Sequence, residues 1–195
     1  MRTILDGFRR VVDFSGRDRR GRFWPYALTV VVLLYVGMAL AIMPMMAKMF
    51  AEAARYAAEN PEQATVVSGP GYYSMEIHEA EAVLMPDFGL FFAAVATAAA
   101  LGVGLLAAAV TRRLHDTGRS GWWGLPAAVF LGTGLTLFPR LMEGMMQVEA
   151  EAPPLGLFLL LFANNLLYII CLGGLIVLLL LDGTKGPNRY GPRPD

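Results

Sequence analysis

The chain has 195 residues, 56% of them hydrophobic, and 16 basic side chains against 16 acidic ones, so its formal net charge is zero. Mean hydropathy is +0.50, and the apolar content exceeds the roughly 45–50% of an ordinary soluble domain. A single cysteine, Cys171 in an apolar stretch, excludes an intramolecular disulfide and a cysteine-based metal cluster. The two histidines, His78 and His115, fall on opposite predicted sides of a membrane, which argues against a zinc site within one chain.

The zero net charge hides a strong asymmetry. Four apolar stretches divide the chain, and 13 of the 16 basic residues lie before the first, between the second and third, or after the fourth. The other two loops hold only Lys48, Arg55 and Arg140, beside ten carboxylates. Membrane insertion retains basic flanks in the cytoplasm, so both termini are predicted to be cytoplasmic. The fold expected is an all-α membrane protein: a four-transmembrane-helix bundle with an amphipathic N-terminal helix. The basic face should attract anionic lipid head groups, at about 1 kcal/mol per well-placed basic residue, or an acidic protein partner. The basic groups are spread over three short segments beside a membrane, which speaks against nucleic acid as a partner.

Residues 1–22 form a cytoplasmic arm. Ile4, Leu5, Phe8, Val11 and Val12 recur at helical spacing over 1–14, opposite Arg2, Asp6, Arg9, Arg10 and Asp13. Such a helix can lie in the inner head-group layer or pack on the protein's own loops. The first span is read as 25–47, with Phe23, Trp24 and Tyr26 as an interfacial aromatic anchor. Its apolar run starts too late and is too long for a cleaved signal peptide. Residues 48–87 form an outer loop: Lys48 to Asn60 can prolong the helix, Asn60-Pro61 stops it, Gly69-Pro70-Gly71 is a turn, and Met75 to Leu84 suggest a short helix. About forty residues bury no good core, so the loop reads as a cap.

The second span, 88–110, is rich in small residues, with Ala94, Ala98 and Gly102 four apart and Ala96, Ala100, Gly104 and Ala108 likewise. That spacing lets helices approach closely in lipid; a smooth path for a substrate is the rival reading. The third span, 122–138, is short and carries Gly124, Pro126, Gly132 and Gly134, as substrate-lining spans of transporters can. Pro126 is also tolerable in a first turn. The fourth span, 155–181, contains Asn164 and Asn165, amides that need partners in lipid; at least one should face the bundle. Residues 182–195 are a cytoplasmic tail.

Three cytoplasmic blocks carry most of the information. The first is Phe14-Ser15-Gly16-Arg17 with Arg20, Phe23 and Trp24. The second runs Arg112-Arg113-Leu114-His115-Asp116-Thr117-Gly118-Arg119-Ser120-Gly121-Trp122-Trp123. The third runs from Asp182 through Gly183-Thr184-Lys185-Gly186-Pro187-Asn188-Arg189-Tyr190-Gly191-Pro192. Together, and in this order, they resemble the bacterial inner-membrane family known as domain of unknown function 805, whose members are small multi-span proteins. The resemblance covers the framework of the whole chain. It implies no reaction, ligand or cofactor, and the 48–87 loop is larger than it implies.

The chemistry of these blocks can be read directly. Spans two and four both run inward, so Arg112, Arg113 and Asp182 end at similar depth. A carboxylate is unfavourable at a helix C-terminus; Asp182 should therefore need a cation, from Arg113, Arg112, Arg17 or Arg20, and arginine can pair with it bidentately. Such a cluster would clamp arm, central loop and tail together. Arg119, Trp122, Asn188 and Tyr190 complete a candidate platform for lipid or a partner. His115 beside Asp116 could form a carboxylate-tuned imidazole, and so the acid–base pair of a lipid-modifying enzyme, but no nucleophile stands beside them. Gly183-Thr184-Lys185-Gly186 lacks the spacing of a phosphate loop; Gly186-Pro187-Asn188 reads as a turn. The leading expectation is a non-enzymatic scaffold or interaction protein without a cofactor, alone or as a homo-oligomer. The alternative is a small oligomeric transporter or channel using Asn164 and Asn165.

Overall fold

The computed structural model describes residues 2–77, 88–146 and 154–192. Its elements are α1 (Arg2–Arg9), α2 (Arg20–Glu59), β1 (Ala64–Gly69), β2 (Tyr72–Ile77), α3 (Phe88–Asp116), α4 (Leu125–Met146) and α5 (Leu155–Leu180), with a 3₁₀ turn over Gly121–Gly124 before α4. Among the described residues, four helices are long and apolar enough to cross a membrane.

Helix α2 has 40 residues, about 60 Å at 1.5 Å per residue, roughly twice the hydrocarbon thickness. Its first part is apolar. Its last turns carry charges in register, with Lys48 3.7 Å from Glu52 and Arg55 2.7 Å from Glu59; such i,i+4 pairs support a helix standing in water. It ends where Asn60 donates to the Tyr56 carbonyl and Pro61 follows.

Beyond it the chain turns into an antiparallel hairpin, β1 with β2, in register Ala64↔Ile77 to Gly69↔Tyr72. Residues Met75–Ile77 are therefore strand, not the start of a helix; the rest of the expected helix lies outside the described residues. Thr65 and Val67 in β1 and Tyr72 in β2 favour strand. Pro70-Gly71, with Gly71 at φ +86°, closes the hairpin as a type II turn does. Tyr56 of α2 donates to the Gln63 side chain at 2.5 Å, tying hairpin to helix.

The helix carrying the third apolar stretch is not short. Helix α4 continues to Met146, through Gly132, Gly134 and Pro139. The four long helices pack chiefly as two pairs, α2 on α3 and α4 on α5. Leu33, Leu160, Phe162 and Ile169 stay exposed, as the outer faces of a bundle dissolved in lipid do. The main buried cluster sits at the basic end and joins Phe23, Tyr26, Ala27 and Val30 of α2 to Ala109 and Leu114 of α3 and Leu179 of α5. Phe23 and Tyr26 thus turn into the core. The Tyr26 hydroxyl donates to the Leu105 carbonyl at 2.7 Å, and its ring covers Gly7 and meets Phe8 of α1 edge-on at 5.2 Å. Helix α1 therefore packs on the protein's own α2, leaving Leu5 exposed.

Between the helix pairs lies a crevice of about 860 Å³, walled by Leu34, Ala98, Gly102, Ala128, Leu131 and Leu172. Gly102 brings α3 close to α2, because a β-carbon there would meet Leu34 at 2.9 Å. Gly104, in the other row of small residues, has open space around it.

Candidate functional site: a buried arginine clamp

The last turn of α3 organises the basic end. Successive helical residues diverge by about 100°, so Arg112 and Arg113 leave α3 in different directions. Both are essentially inaccessible, as are Leu114 beside them and Asp116 one turn on.

Arg113 points to α5. Its Nε donates to the Leu179 carbonyl at 3.0 Å and its Nη2 to the Leu181 carbonyl; Arg20 donates to the Leu180 carbonyl at 3.2 Å. The last carbonyls of a helix lack intrahelical partners and carry the negative end of its dipole. Two guanidiniums from other helices supply both donors and charge. Arg113 also donates to Asp116 Oδ2 at 2.5 Å. Burial lowers the Arg113 pKa from its ordinary value, and the Asp116 charge opposes that shift; arginine remains protonated regardless.

Arg17 meets Asp116 from the arm. Its Nη2 and Nε lie 3.0 and 3.1 Å from Asp116 Oδ1. The same guanidinium donates to the carbonyls of Thr184 and Gly186, both at 2.9 Å, to that of Gly191 at 3.2 Å, and to the Thr184 hydroxyl at 2.8 Å. One side chain thus holds the end of α3 and the tail. Charge-assisted bonds of this kind are the strong ones.

Arg112 faces the arm. Its Nε lies 2.6 Å from Asp18 Oδ2, and its Nη1 donates to the carbonyls of Arg10 and Asp13. The Asp18 amide returns a bond to the Arg112 carbonyl at 3.1 Å. Three buried guanidiniums and two buried carboxylates therefore interlock.

Glycines allow the backbone to fit. Gly118, at φ +78°, ends α3 with its amide on the His115 carbonyl and the Arg119 amide on that of Leu114, the paired bonds of a Schellman cap. A β-carbon on Gly183 would overlap the Asp116 carboxylate.

His115 and Asp116 point apart. Nδ1 of His115 lies 3.1 Å from the Gly16 carbonyl, which only accepts, so Nδ1 carries the proton. Its ring stacks on Tyr190 at 3.7 Å, nearly parallel. Burial pushes the His115 pKa below its ordinary value, the Gly16 carbonyl works against that, and Arg189 adds to it. Among the described residues nothing bonds Nε2. Asn188 is the tail's other fastener, donating to the His115 carbonyl and to Thr184 Oγ1, both at 3.0 Å. The tail's turn is pinned by reciprocal amide bonds between Asn188 and Gly191, two residues beyond the expected place.

Several residues singled out in the sequence lie elsewhere. Asp182 pairs with Arg20, but both are exposed, the Asp182 side chain by 85%; the clamp centres on Asp116 instead. Trp24 packs edge-on against Phe23, its indole N–H buried without an acceptor among the described residues. Trp122 is 75% exposed, and among the described residues the Arg119 side chain makes only a 3.5 Å bond to the Thr117 carbonyl. In mid-span, Asn164 donates to the Phe130 carbonyl at 3.0 Å while Asn165 faces outward. Asp18 joins the clamp without having been expected there, and Asp13 and Thr184 do more than their places in the N-terminal helix and the tail block suggest. Asp18 was legible as an acid just ahead of α2, where a helix dipole favours one.

Residues 11–192 match the model of the family described as protein of unknown function (DUF805). The chain belongs to that family. It is a multi-pass protein of the bacterial inner membrane, with a buried cluster of charged residues at one end of its bundle. No curated protein and no solved structure matches this DUF805 chain.

Proposed function

We propose that this protein is a non-enzymatic inner-membrane scaffold whose cytoplasmic end is a rigid, basic platform for anionic lipid head groups. The observation that carries this reading is the division of labour among the arginines. Arg17, Arg112 and Arg113 are consumed inside the clamp, whereas Arg19, Arg119, Lys185 and Arg189 pair with no carboxylate among the described residues. Cations left unpaired on a fixed plate beside the bilayer gain from a negative leaflet. The sharp test neutralises the free set together: Arg19→Gln, Arg119→Gln, Lys185→Gln, Arg189→Gln. Native mass spectrometry should then find fewer, and less salt-sensitive, anionic lipids on a protein of unchanged melting temperature. An unaltered lipid complement refutes the platform.

A second reading, a small oligomeric transporter, is favoured by the outward amide of Asn165, which a neighbouring copy could satisfy. Solute flux in liposomes that vanishes in an Asn164→Leu, Asn165→Leu variant supports it; an inert wild type across many solutes counts against it.

A further inference from the structure

The crevice between the helix pairs has the shape and chemistry of a site for one amphiphile. Its volume, about 860 Å³, falls in the range of small-molecule sites, roughly 300–1,000 Å³. On α3 it extends from Val95 to Thr111, about 24 Å at 1.5 Å per residue, deeper than the roughly 15 Å of one leaflet's hydrocarbon. The walls are chiefly aliphatic, with Tyr35 and Tyr168 set deep in them. At the basic end Thr111, His115 and Ser120 line the crevice and exposed Trp122 stands at the rim.

The mouth carries the chemistry of recognition. Arg119 precedes Ser120. Arg189 lies 4.7 Å over the Tyr190 ring that stacks on His115, and reaches the Gly118 carbonyl at 3.5 Å. Neither pairs with a carboxylate among the described residues. With Nδ1 committed to Gly16, neutral His115 presents Nε2 as an acceptor, with no donor to it among the described residues. We propose that the crevice holds one acyl chain of an anionic, hydroxyl-bearing glycerophospholipid, its phosphate against Arg119 and Arg189 and its head-group hydroxyl donating to Nε2 of His115. A helix of a second, parallel copy is the poorer occupant. It would bring its own basic end to a mouth already rich in unpaired cations.

This inference rests on the platform reading, and the two fail differently. The full chain is reconstituted with phosphatidylglycerol, phosphatidate and phosphatidylcholine in equal amounts and examined by native mass spectrometry. One phosphatidylglycerol that survives high salt is expected, preferred over phosphatidate, which lacks the extra hydroxyl, and over uncharged phosphatidylcholine. Ala128→Phe, which fills the crevice, should lose that single lipid and keep the salt-sensitive ones. His115→Phe should abolish the preference over phosphatidate. If Ala128→Phe keeps the tight lipid, or loses a second protein copy instead, the crevice site is overturned while the platform stands; if wild type enriches no anionic lipid, both fall. Should Ala128→Phe not fold, phosphatidylglycerol with a photoreactive acyl chain decides. Labelling confined to crevice residues such as Ala98 and Leu131 upholds the site, and labelling spread over the outer face of α5 overturns it.

Discussion

Gly183 lies flush against the carboxylate of Asp116, with no room for a β-carbon between them. That contact lets the tail run beneath the end of α3, where the Thr184 amide reaches the Asp116 carbonyl at 2.9 Å. Gly183→Ala must push the tail away or displace the acid that joins Arg17 and Arg113. Overpacking a tight site costs about 1–3 kcal/mol, so a clear fall in melting temperature in detergent is expected. Gly186→Ala, with open space around its position, should leave it unchanged.

The two acids of the basic end should differ sharply. Asp116→Asn leaves Arg17 and Arg113 buried around a neutral amide; breaking a buried pair costs about 3–5 kcal/mol. Asp182→Asn touches only an exposed pair, worth at most about 1 kcal/mol. Parallel unfolding curves in a mild detergent measure both, and equal losses would place the centre of the clamp at the wrong acid.

Acid should loosen the basic end in two stages. Burial holds the His115 imidazole below its ordinary 6.5, so the unfolded chain takes up that proton first. Stability from neutral His115 is complete above about pH 6.5 and is lost as pH falls through the lower folded value. The groups around the ring are Tyr190 and Arg189, with Asp116 turned away toward Arg17 and Arg113. Asp13, held at about 2 by bonds from Ser15 and Arg10, contributes stability complete above its ordinary 3.8 and lost as pH falls toward 2. That second stage is small, because Asp13 is solvated and screened. His115→Gln should remove the first stage from a pH series of melting temperatures and leave the second.

The neighbouring amides of α5 should also part company. Asn164 donates to the Phe130 carbonyl of α4, and a β-carbon on Gly134 would sit 3.0 Å from its amide nitrogen. Interhelical bonds in lipid average about 0.6 kcal/mol, with a maximum near 1.7, so Asn164→Leu should lower stability by about that much. Asn165→Leu removes an amide from an outward face and should not destabilise the monomer; thermal unfolding of the two variants separates them.

Much of this was legible because membranes impose a coarse code. Helix number and family could be read from apolar length and three basic blocks. The hairpin was legible too: the β-branched run Thr65-Val66-Val67 and the pair Tyr72-Tyr73 flank Gly69-Pro70-Gly71, although Met75 to Leu84 suggest a helix. Asp116 was visible beside His115, yet no spacing rule shows which way two adjacent side chains leave the end of a helix. That direction depends on Gly118 ending α3 and on the arm crossing beneath it. The carbonyls of Leu179, Leu181 and Gly191 were invisible for a deeper reason: a backbone oxygen has no letter. Most of what Arg17 and Arg113 hold is backbone.

The guanidinium of residue 17 grips carbonyls as far along the chain as residue 191. During synthesis it emerges early and waits for almost everything else to follow. Until α5 has crossed and its tail has folded back, Arg17 and Arg113 have only water, head groups and Asp116 to bind. The seal at the base of the bundle can therefore form only as a final, cooperative step. A chain stalled or threaded with one crossing missing would keep those cations in the open, chemically distinguishable from the finished protein.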